Sequence, residues 1–241
     1  MDRIINDFTI NIATANGTGS QSANLILLQS LFDMGVPVSG KNLFPSNISG
    51  LPTWYIVRLS DAGYQAPGDR THIQVLVNPA TWDEDLEALE PGSVVIWNSD
   101  AKGMTVERDD VISYPVPMSK LARKINPKIA KLVTNIIYVG VLAELLGIDQ
   151  TCLESAVAKQ FKGKATAVEL NITALGLGRD YCKENLTKSD PYGVEARDVE
   201  KPQFFIEGNE ATALGAHYGG CLLYTSPSPR DQRGSRMPSS A

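Results

Sequence analysis

The chain has 241 residues, of which 43% are hydrophobic and 20% are charged, and its formal net charge is -5. This length and composition suffice to bury the core of one or two globular domains without disulfide or metal staples. The acidic balance argues against a nucleic-acid-binding surface, and no apolar run approaches the roughly 20 residues that span a bilayer.

Side chains that could act as metal ligands or nucleophiles are scarce in this sequence. It has three widely spaced cysteines and two histidines, His72 and His217. No Cys-x-x-Cys pair is present, so we expect no sequence-local zinc or iron–sulfur site. The odd cysteine count and the lack of an apolar segment at the start predict a cytoplasmic protein. Any enzymatic chemistry must then come largely from a cofactor or from another chain.

The opening residues predict a strand, a glycine loop and a helix. Phe8–Ala13 alternates apolar and polar residues, as a strand with one buried face does. A small-residue segment at 16–20 follows, and then Ser20–Met34, whose apolar residues recur at helical spacing. We expect Ser20 to cap this helix and Gly35 to end it.

Strands and helices then alternate along the chain. Runs of β-branched and apolar residues predict strands at Trp54–Leu59, Ile73–Val77, Ser93–Trp97 and Val111–Tyr114. Apolar periodicity and acidic starts predict helices at Asp83–Leu89, Lys131–Leu146, Gln150–Phe161 and Lys164–Lys183. This order predicts an α/β fold of three layers, in which a mostly parallel sheet carries helices on both faces. The helix at Lys131–Leu146 is apolar on nearly every side, which predicts burial in a core or in a subunit interface.

Composition divides the chain into four parts. The α/β domain is expected at residues 1–186, and the polar segment 187–203, with two prolines, is expected to be a linker. Residues 204–220 begin a second domain with an apolar run, a turn and an alanine-rich helix start. Residues 221–241 are rich in Ser, Pro and Arg and cannot build a core. We interpret them as a non-native disordered tail, the alternative being a genuine one.

The segment between the first strand and the first helix has the composition of an anion-binding loop. Glycines permit positive φ and a close approach to the backbone, and the start of a helix offers unpaired N–H groups. A dinucleotide-binding fold also needs an acid at the end of its second strand, and residues 36–41 contain none, although Lys41 is available to a 2′-phosphate. An NADP-binding reductase domain and a tight turn that binds nothing are therefore the alternatives. The candidate cofactor-binding residues are Gly17, Thr18, Gly19, Ser20 and Gln21.

Other candidate residues carry weaker signals. The segment Lys41–Trp54 is long for a loop and predicts a contact surface for a cofactor or a partner domain, the alternative being a crossover loop that packs on its own chain. Arg58 could hold an anion at a strand end. Arg70 and His72 are expected to be structural, and Glu210 is expected to be an acid of a first helical turn. We therefore assign no catalytic residue and no metal ligand.

Taken in order, several of these segments resemble one protein family. Ala15–Ser22 and the helix after it look like the glycine loop and first helix of the gamma domain of 2-oxoacid:ferredoxin oxidoreductases. The helical segments 133–148, 153–164 and 168–181 resemble the helices that close that domain, and 205–216 resembles the start of the pyrimidine-binding domain of the alpha subunit. The resemblance covers residues 5–220 and implies the fused gamma–alpha arrangement. Two departures stand out: Ser20 and Ser22 replace glycines of the family's usual loop, and residues 48–52 lack its Arg-Gly-Gly segment.

The resemblance implies a subunit fragment of an enzyme that converts a 2-oxo acid and coenzyme A to acyl-CoA and carbon dioxide, with 2-oxoglutarate as the expected acid. It implies thiamine diphosphate, Mg²⁺, coenzyme A and iron–sulfur clusters in the full complex. It also implies a hetero-oligomer with a beta subunit and with ferredoxin or another electron acceptor, and no nucleic acid or membrane. We expect the 241-residue chain alone to be inactive. A non-catalytic subunit-interface domain is the remaining alternative.

Overall fold

The computed structural model describes residues 3–45, 48–198 and 204–220. The chain divides into two compact units, Met1–Asp198 and Val199–Ala241. The strands are β1 (Ile4–Ile5), β2 (Phe8–Ala15), β3 (Val38–Leu43), β4 (Pro52–Leu59), β5 (Ile73–Leu76), β6 (Val94–Asn98), β7 (Ile112–Val116) and β8 (Tyr192–Gly193). The helices are α1 (Ser20–Asp33), α2 (Trp82–Glu87), α3 (Met118–Ile125), α4 (Ala130–Leu146), α5 (Gln150–Gln160), α6 (Ala165–Asn185) and α7 (Gly208–Tyr218).

The first unit is built on a six-stranded sheet with the order β3-β4-β2-β5-β6-β7. Strands β2, β5, β6 and β7 run parallel to one another, and β4 runs antiparallel to both of its neighbours. Central β5 is buried along its whole length, as a strand covered on both faces must be. The predicted mostly parallel sheet is therefore confirmed.

Helices cover both faces of this sheet. Leu28 of α1 lies against Gly40 of β3. Gly40 and Ile10 pair with the same residue of the intervening strand β4, so both mark the face of the sheet that α1 covers. Ala13 lies three residues beyond Ile10 and so faces the other side, where it packs in a cluster with Trp82 of α2. The α/β fold expected from the alternation of strands and helices is thereby confirmed.

Helix α4 is the core helix of the first unit. Its residues from Val133 to Ala143 are all buried, and Ile136 and Leu142 are 2% and 0% exposed. Of the two environments that its apolar sequence allowed, the structure shows the core of its own domain. The helix ends at Gly147, which adopts the left-handed conformation.

Helices α4 and α6 touch backbone to backbone. A Cβ atom added to Gly140 would lie 2.3 Å from Leu175 O, and one added to Gly178 would lie 2.3 Å from Ile137 O. Only glycine leaves room at both positions, because any side chain would force the helices apart. The close approach places the first turns of both helices on the same side of the domain.

Three elements differ from the sequence-based prediction. Helix α3 was not predicted, because it is only eight residues long and its cap comes from a distant residue: Asp100 accepts the N–H groups of Ser119 and Lys120. The cap of α1 is Gly19, and Ser20 is the first helical residue. Both ends of the segment Lys41–Trp54 belong to the paired strands β3 and β4, so only 44–51 lies between the strands.

The first unit also extends beyond residue 186, through most of the predicted linker. Lys188 donates to both Asp190 Oδ1 and Tyr192 O at 2.7 Å, and Tyr114 OH donates to Asp190 Oδ2 at 2.8 Å. Tyr192 is 3% exposed and its strand β8 pairs with β1. Residues 187–198 are thus part of the domain, because a buried carboxylate and an aromatic ring fasten them to it. Residues 199–203 of the predicted linker lie outside the described residues.

The second unit is described over 204–220 only. It contains α7, in which no residue is buried, and the exposed fractions of Phe204 and Tyr218 are both 86%. Glu210 lies in the first turn of α7, as expected. The tail predicted at 221–241 lies outside the described residues.

Among the described residues, no single helix is long and apolar enough to cross a membrane; α3 and α4 would be so together, but they are bent by 117°. Within the same residues, no group of three or more His, Cys, Asp or Glu side chains is placed to hold a metal ion.

The glycine contact yields a stability prediction. Gly140→Ala and Gly178→Ala should each lower the free energy of unfolding by about 2–3 kcal/mol, because the added methyl overpacks the helix crossing. Gly176→Ala is the matched control, since nothing lies within 4 Å of a Cβ at this position of α6. It should raise stability by up to about 1 kcal/mol through helix propensity. Urea unfolding of the four proteins checks this, and equal behaviour of the three variants would contradict it.

The fastening of residues 187–198 yields a second prediction. Tyr114→Phe removes the hydroxyl that donates to Asp190 and accepts the N–H of Ser189 at 2.8 Å. It should cost about 1–3 kcal/mol, because buried polar groups lose their partner. Tyr181→Phe removes an exposed hydroxyl that donates to Pro115 O at 3.3 Å and should cost less than about 1 kcal/mol. Limited proteolysis should cut at 187–198 sooner in the first variant, and identical cleavage rates would count against this role.

Candidate functional site

The predicted glycine loop lies between β2 and α1. Gly17 and Gly19 have φ angles of +79° and +81°, a region that other residues enter at a cost of roughly 1–2 kcal/mol. Thr18, between them, donates its hydroxyl proton to Ala15 O at 2.7 Å. Glycine therefore occupies the two positions of this turn that have positive φ. The helix begins at Ser20, directly after the turn.

The turn leaves a group of backbone donors unpaired. The N–H groups of Gly19, Ser20 and Gln21 have no acceptor within the described part of the chain, and the first intrahelical bond is that of Ala23 N to Gly19 O. Ser20 is 6% exposed, and its hydroxyl likewise has no hydrogen-bond partner among the described residues. The first turn of α1 contains no acid that would neutralise the helix dipole. The site is thus suited to an anion.

Helix α4 contacts the glycine loop through side chains of its first half. Asn135 Nδ2 donates to Thr18 O at 2.7 Å and to Thr18 Oγ1 at 3.1 Å. One turn away, Tyr138 OH donates to Asn24 Oδ1 of α1 at 2.6 Å, in a fully buried contact. Leu132 lies against Gly19, 3.5 Å from where a Cβ would be. The loop is therefore fixed by a core helix that lies far from it in sequence.

The β3–β4 hairpin closes the other side of the loop. Asn16 N donates to Leu51 O, and Gly50 N donates to Asn16 O, both at 2.8 Å. Ser49 packs on Gly17, since a Cβ on this glycine would lie 2.6 Å from Ser49 Oγ. The hairpin carries exposed apolar side chains, with Phe44 at 55%. Its predicted role as a contact surface stays a prediction.

A cavity of about 760 Å³ opens beside the loop, within the size range of small-molecule sites, which is roughly 300–1,000 Å³. It lies between the first turns of α4 and α6. Most of its wall is apolar, and its polar residues are few. The lining includes Gly19, Ser22, Leu132, Val133, Ile136, Phe161, Lys164, Thr166, Leu170 and Asn171.

The helices that begin at this cavity differ electrostatically from the other helices of the first unit. Helices α1, α4 and α6 have no side-chain cap and no acid in their first turns. By contrast, α5 is capped by Asp149, α2 has three acids in its first turn, and Asp100 caps α3. Unneutralised helix N-termini favour negative charge near them. Three such termini and Lys164 therefore face the cavity with no carboxylate among its lining residues.

The remaining predicted residues do not join this site. Arg58 forms an ion pair with Asp7, and Arg70 forms one with Glu90 at 3.2 Å, so both are structural. His72 Nδ1 accepts the N–H of Thr9 at 3.1 Å, and burial, followed by the charge of Arg70, lowers the pKa of His72. The lowered pKa and the accepted bond both keep this histidine neutral in the sheet. Lys41 lies on the edge strand β3 and is exposed.

Sequence reasoning missed a second polar cluster, on the face of the sheet under α2. Trp54 Nε1 donates to Asp85 Oδ1 at 2.8 Å, while Asp85 Oδ2 is buried without a partner. Burial raises the pKa of Asp85. Asn11 Oδ1 and Gln74 Nε2, on neighbouring strands, are also buried and unpaired. Only the fold brings these residues together, and no local motif marks them.

The comparison with protein families gives the decisive observation. The family model described as pyruvate ferredoxin/flavodoxin oxidoreductase matches residues 9–181. The chain belongs to this family. The resemblance drawn from the glycine loop and the closing helices is therefore confirmed.

Curated relatives are subunits of enzymes of the same kind. The chain is 20% identical to subunit alpha of 2-oxoacid:ferredoxin oxidoreductase 2 from Aeropyrum pernix, over 91% of this chain and 40% of that protein. It is 24% identical to 2-oxoglutarate oxidoreductase subunit KorA from Mycobacterium tuberculosis, over 69% of this chain and 29% of that protein. The chain thus spans 40% or less of the length of these two relatives.

Solved structures agree. A 2-oxoglutarate:ferredoxin oxidoreductase from Magnetococcus marinus, with 2-oxoglutarate, coenzyme A and succinyl-CoA bound, is 26% identical with a TM-score of 0.80, over 89% of this chain and 37% of that chain. A keto/oxoacid ferredoxin oxidoreductase gamma subunit from Geobacter sulfurreducens is 19% identical with a TM-score of 0.59, over 72% of this chain and 96% of that one. The second likeness shows that the fold of this chain is the fold of a gamma subunit.

The topology disfavours the NADP-binding alternative. In a dinucleotide-binding fold the strand after the first helix lies beside the first strand, so that its acid or base reaches the ribose. Here β3 follows α1 but is separated from β2 by the antiparallel strand β4. Lys41 therefore lies two strands away from the glycine loop.

The contact between the hairpin and the loop yields a prediction. Gly17→Ala should lose about 2–4 kcal/mol, because the methyl is strained at positive φ and meets Ser49. Gly50→Ala, at φ +90° with open space around it, should lose only the strain of roughly 1–2 kcal/mol. Adding Ser49→Gly to the first variant should recover the difference. Thermal unfolding measures all three, and a double variant no better than Gly17→Ala would refute the contact.

Proposed function

We propose that this chain is part of the alpha subunit of a 2-oxoacid:ferredoxin oxidoreductase, which converts a 2-oxo acid and coenzyme A to acyl-CoA, carbon dioxide and a reduced acceptor. The observation that carries the proposal is the row of unpaired N–H groups at Gly19–Gln21 beside an acid-free cavity, in a domain whose solved relative holds coenzyme A and succinyl-CoA. That relative also holds 2-oxoglutarate, which is the oxo acid that we propose.

Coenzyme A is the ligand that fits this domain. Its phosphates match the N–H groups of Gly19, Ser20 and Gln21 and the ammonium group of Lys164, since helix N-termini and lysines both bind phosphate. Its long neutral arm matches the apolar wall of the cavity between α4 and α6. In this proposal Gly17, Thr18, Gly19, Ser20 and Gln21 form the coenzyme-binding loop, and the domain holds and orients the acyl acceptor without reacting itself.

The other cofactors belong to parts of the complex beyond this domain. Thiamine diphosphate with Mg²⁺ would stabilise the carbanion formed on decarboxylation, and iron–sulfur clusters would carry the electrons to ferredoxin. The described residues offer no cluster of metal ligands. We assign the diphosphate-binding site to a beta subunit in a hetero-oligomer, and residues 204–220 to the start of the pyrimidine-binding domain. The cytoplasm is the proposed compartment.

Two measurements test the proposal separately. In the first, calorimetry should show the 241-residue chain binding coenzyme A, with Lys164→Ala weakening the binding about tenfold through loss of one phosphate contact. Lys159→Ala is the matched control, because Lys159 is neutralised by Asp33 at 2.8 Å, and it should bind normally. No binding by the unmodified chain would overturn the role of the loop.

The second measurement concerns the reaction. The chain alone should not reduce a dye in the presence of 2-oxoglutarate and coenzyme A, because we assign the thiamine and iron–sulfur sites to other parts of the complex. The full-length protein, purified with its beta subunit, should do so. Turnover by the chain alone, or inactivity of the cofactor-loaded complex with every 2-oxo acid tried, would contradict the assignment.

A further inference from the structure

Asn135 is the polar exception in the core helix α4. It is 1% exposed and stands among Val133, Ile136 and Ile137, which are all buried and apolar. Burying an amide costs free energy unless its polar atoms are paired. The amide nitrogen is paired with one residue, Thr18, through both its carbonyl and its hydroxyl oxygen, at 2.7 and 3.1 Å.

The bond to the carbonyl oxygen fixes more than the position of Thr18. A peptide unit is planar and trans, so the N–H of Gly19 points opposite to the C=O of Thr18. Because that carbonyl points back to Asn135 in the domain core, the Gly19 N–H must point away from the core. It thereby joins the N–H groups of Ser20 and Gln21, which the helix direction already aligns.

Among the described residues, no other hydrogen bond holds the carbonyl group of Thr18 in its orientation. Gly17 and Gly19, on either side of Thr18, both have positive φ, where glycine rotates with little steric hindrance. The hydroxyl bond from Thr18 to Ala15 O restrains the side chain but not the carbonyl group. Without Asn135, the peptide between Thr18 and Gly19 would be able to flip and turn its carbonyl oxygen towards the ligand.

We propose that Asn135 is a positioning residue of the coenzyme site: it sets the Thr18–Gly19 peptide so that the Gly19 N–H faces the anionic ligand. This inference rests on the proposed role of the glycine loop. It adds that the loop's donor set is completed by an amide more than a hundred residues away, in the helix that forms one wall of the cavity.

The neighbouring contact of α4 provides a matched control. Tyr138 OH also joins α4 to α1, by a hydrogen bond of 2.6 Å to Asn24 Oδ1, and is likewise buried. Tyr138→Phe removes this bond without touching the loop peptide. Asn135→Leu removes the donor while keeping a side chain with the same branching and number of heavy atoms. A purely structural role for Asn135 predicts that both variants lose stability and that neither changes the loop.

The test uses isotope-labelled 241-residue chain and two readouts. The first is the residual dipolar coupling of the Gly19 N–H vector, measured without ligand. It should change in Asn135→Leu and stay unchanged in Tyr138→Phe. The second is the dissociation constant of coenzyme A, which should rise at least about tenfold in Asn135→Leu, since a donor to a charged group is replaced by a repelling carbonyl. In Tyr138→Phe it should change less than about threefold.

The outcomes are distinguishable. An unchanged Gly19 coupling in a folded Asn135→Leu variant would overturn the inference, whatever the coenzyme does. If the unmodified chain binds no coenzyme A, the proposed function of the loop fails, while the coupling still decides whether Asn135 orients the peptide. If Asn135→Leu does not fold, Asn135→Ser, which leaves a smaller side chain without the amide donor, is measured in its place against the same two expectations.

Discussion

The contact between Gly140 of α4 and Gly178 of α6 is the constraint on which the rest of the domain depends. It lets two helices meet at their backbones, so that α4 is buried in the core from Val133 to Ala143. The position of α4 then fixes the glycine loop, because Asn135 and Leu132 project from it onto Thr18 and Gly19. The same two helices supply most of the residues that line the cavity. The close approach of two glycines therefore joins the two helices that wall the site.

The electrostatic potential of the site arises mainly from helix N-termini that have neither a side-chain cap nor an acid in the first turn, rather than from positively charged side chains. A chain with a net charge of -5 has no overall excess of positive charge that would attract an anion. Here the N-termini of α1, α4 and α6 point at one cavity without caps or acids, while α2, α3 and α5 have carboxylates at theirs. Each uncapped terminus costs the isolated domain stability, because unpaired N–H groups are left to solvent. A bound anion would offset that cost, so the proposed ligand binding would also stabilise the domain.

Local patterns predicted most of the fold, and they failed where long-range contacts decide. The alternation of apolar residues in β2 and the helical spacing in α1 are properties of consecutive residues, so they were visible in the sequence. The attachment of residues 187–198 to the domain depends on Tyr114 and Asp190, which are 76 positions apart. Of the site, the loop at 17–21 was found from its glycines. Asn135 and Lys164 were missed, although a lone asparagine in an otherwise apolar helix is a signal that the pattern contained.

The two serines that depart from the family's usual loop bear on whether the loop can still bind an anion. Positive φ is needed at Gly17 and Gly19 only, and both are glycine. Ser20 and Ser22 lie within α1, where a side chain is accommodated without strain, and Ser22 accepts a hydrogen bond from Gln160 at 3.3 Å. The substitutions thus fall on helical positions, whose N–H groups are directed by the helix rather than by glycine. A loop with this sequence presents the backbone donors of Gly19, Ser20 and Gln21 and has the hydroxyl of Ser20 beside them.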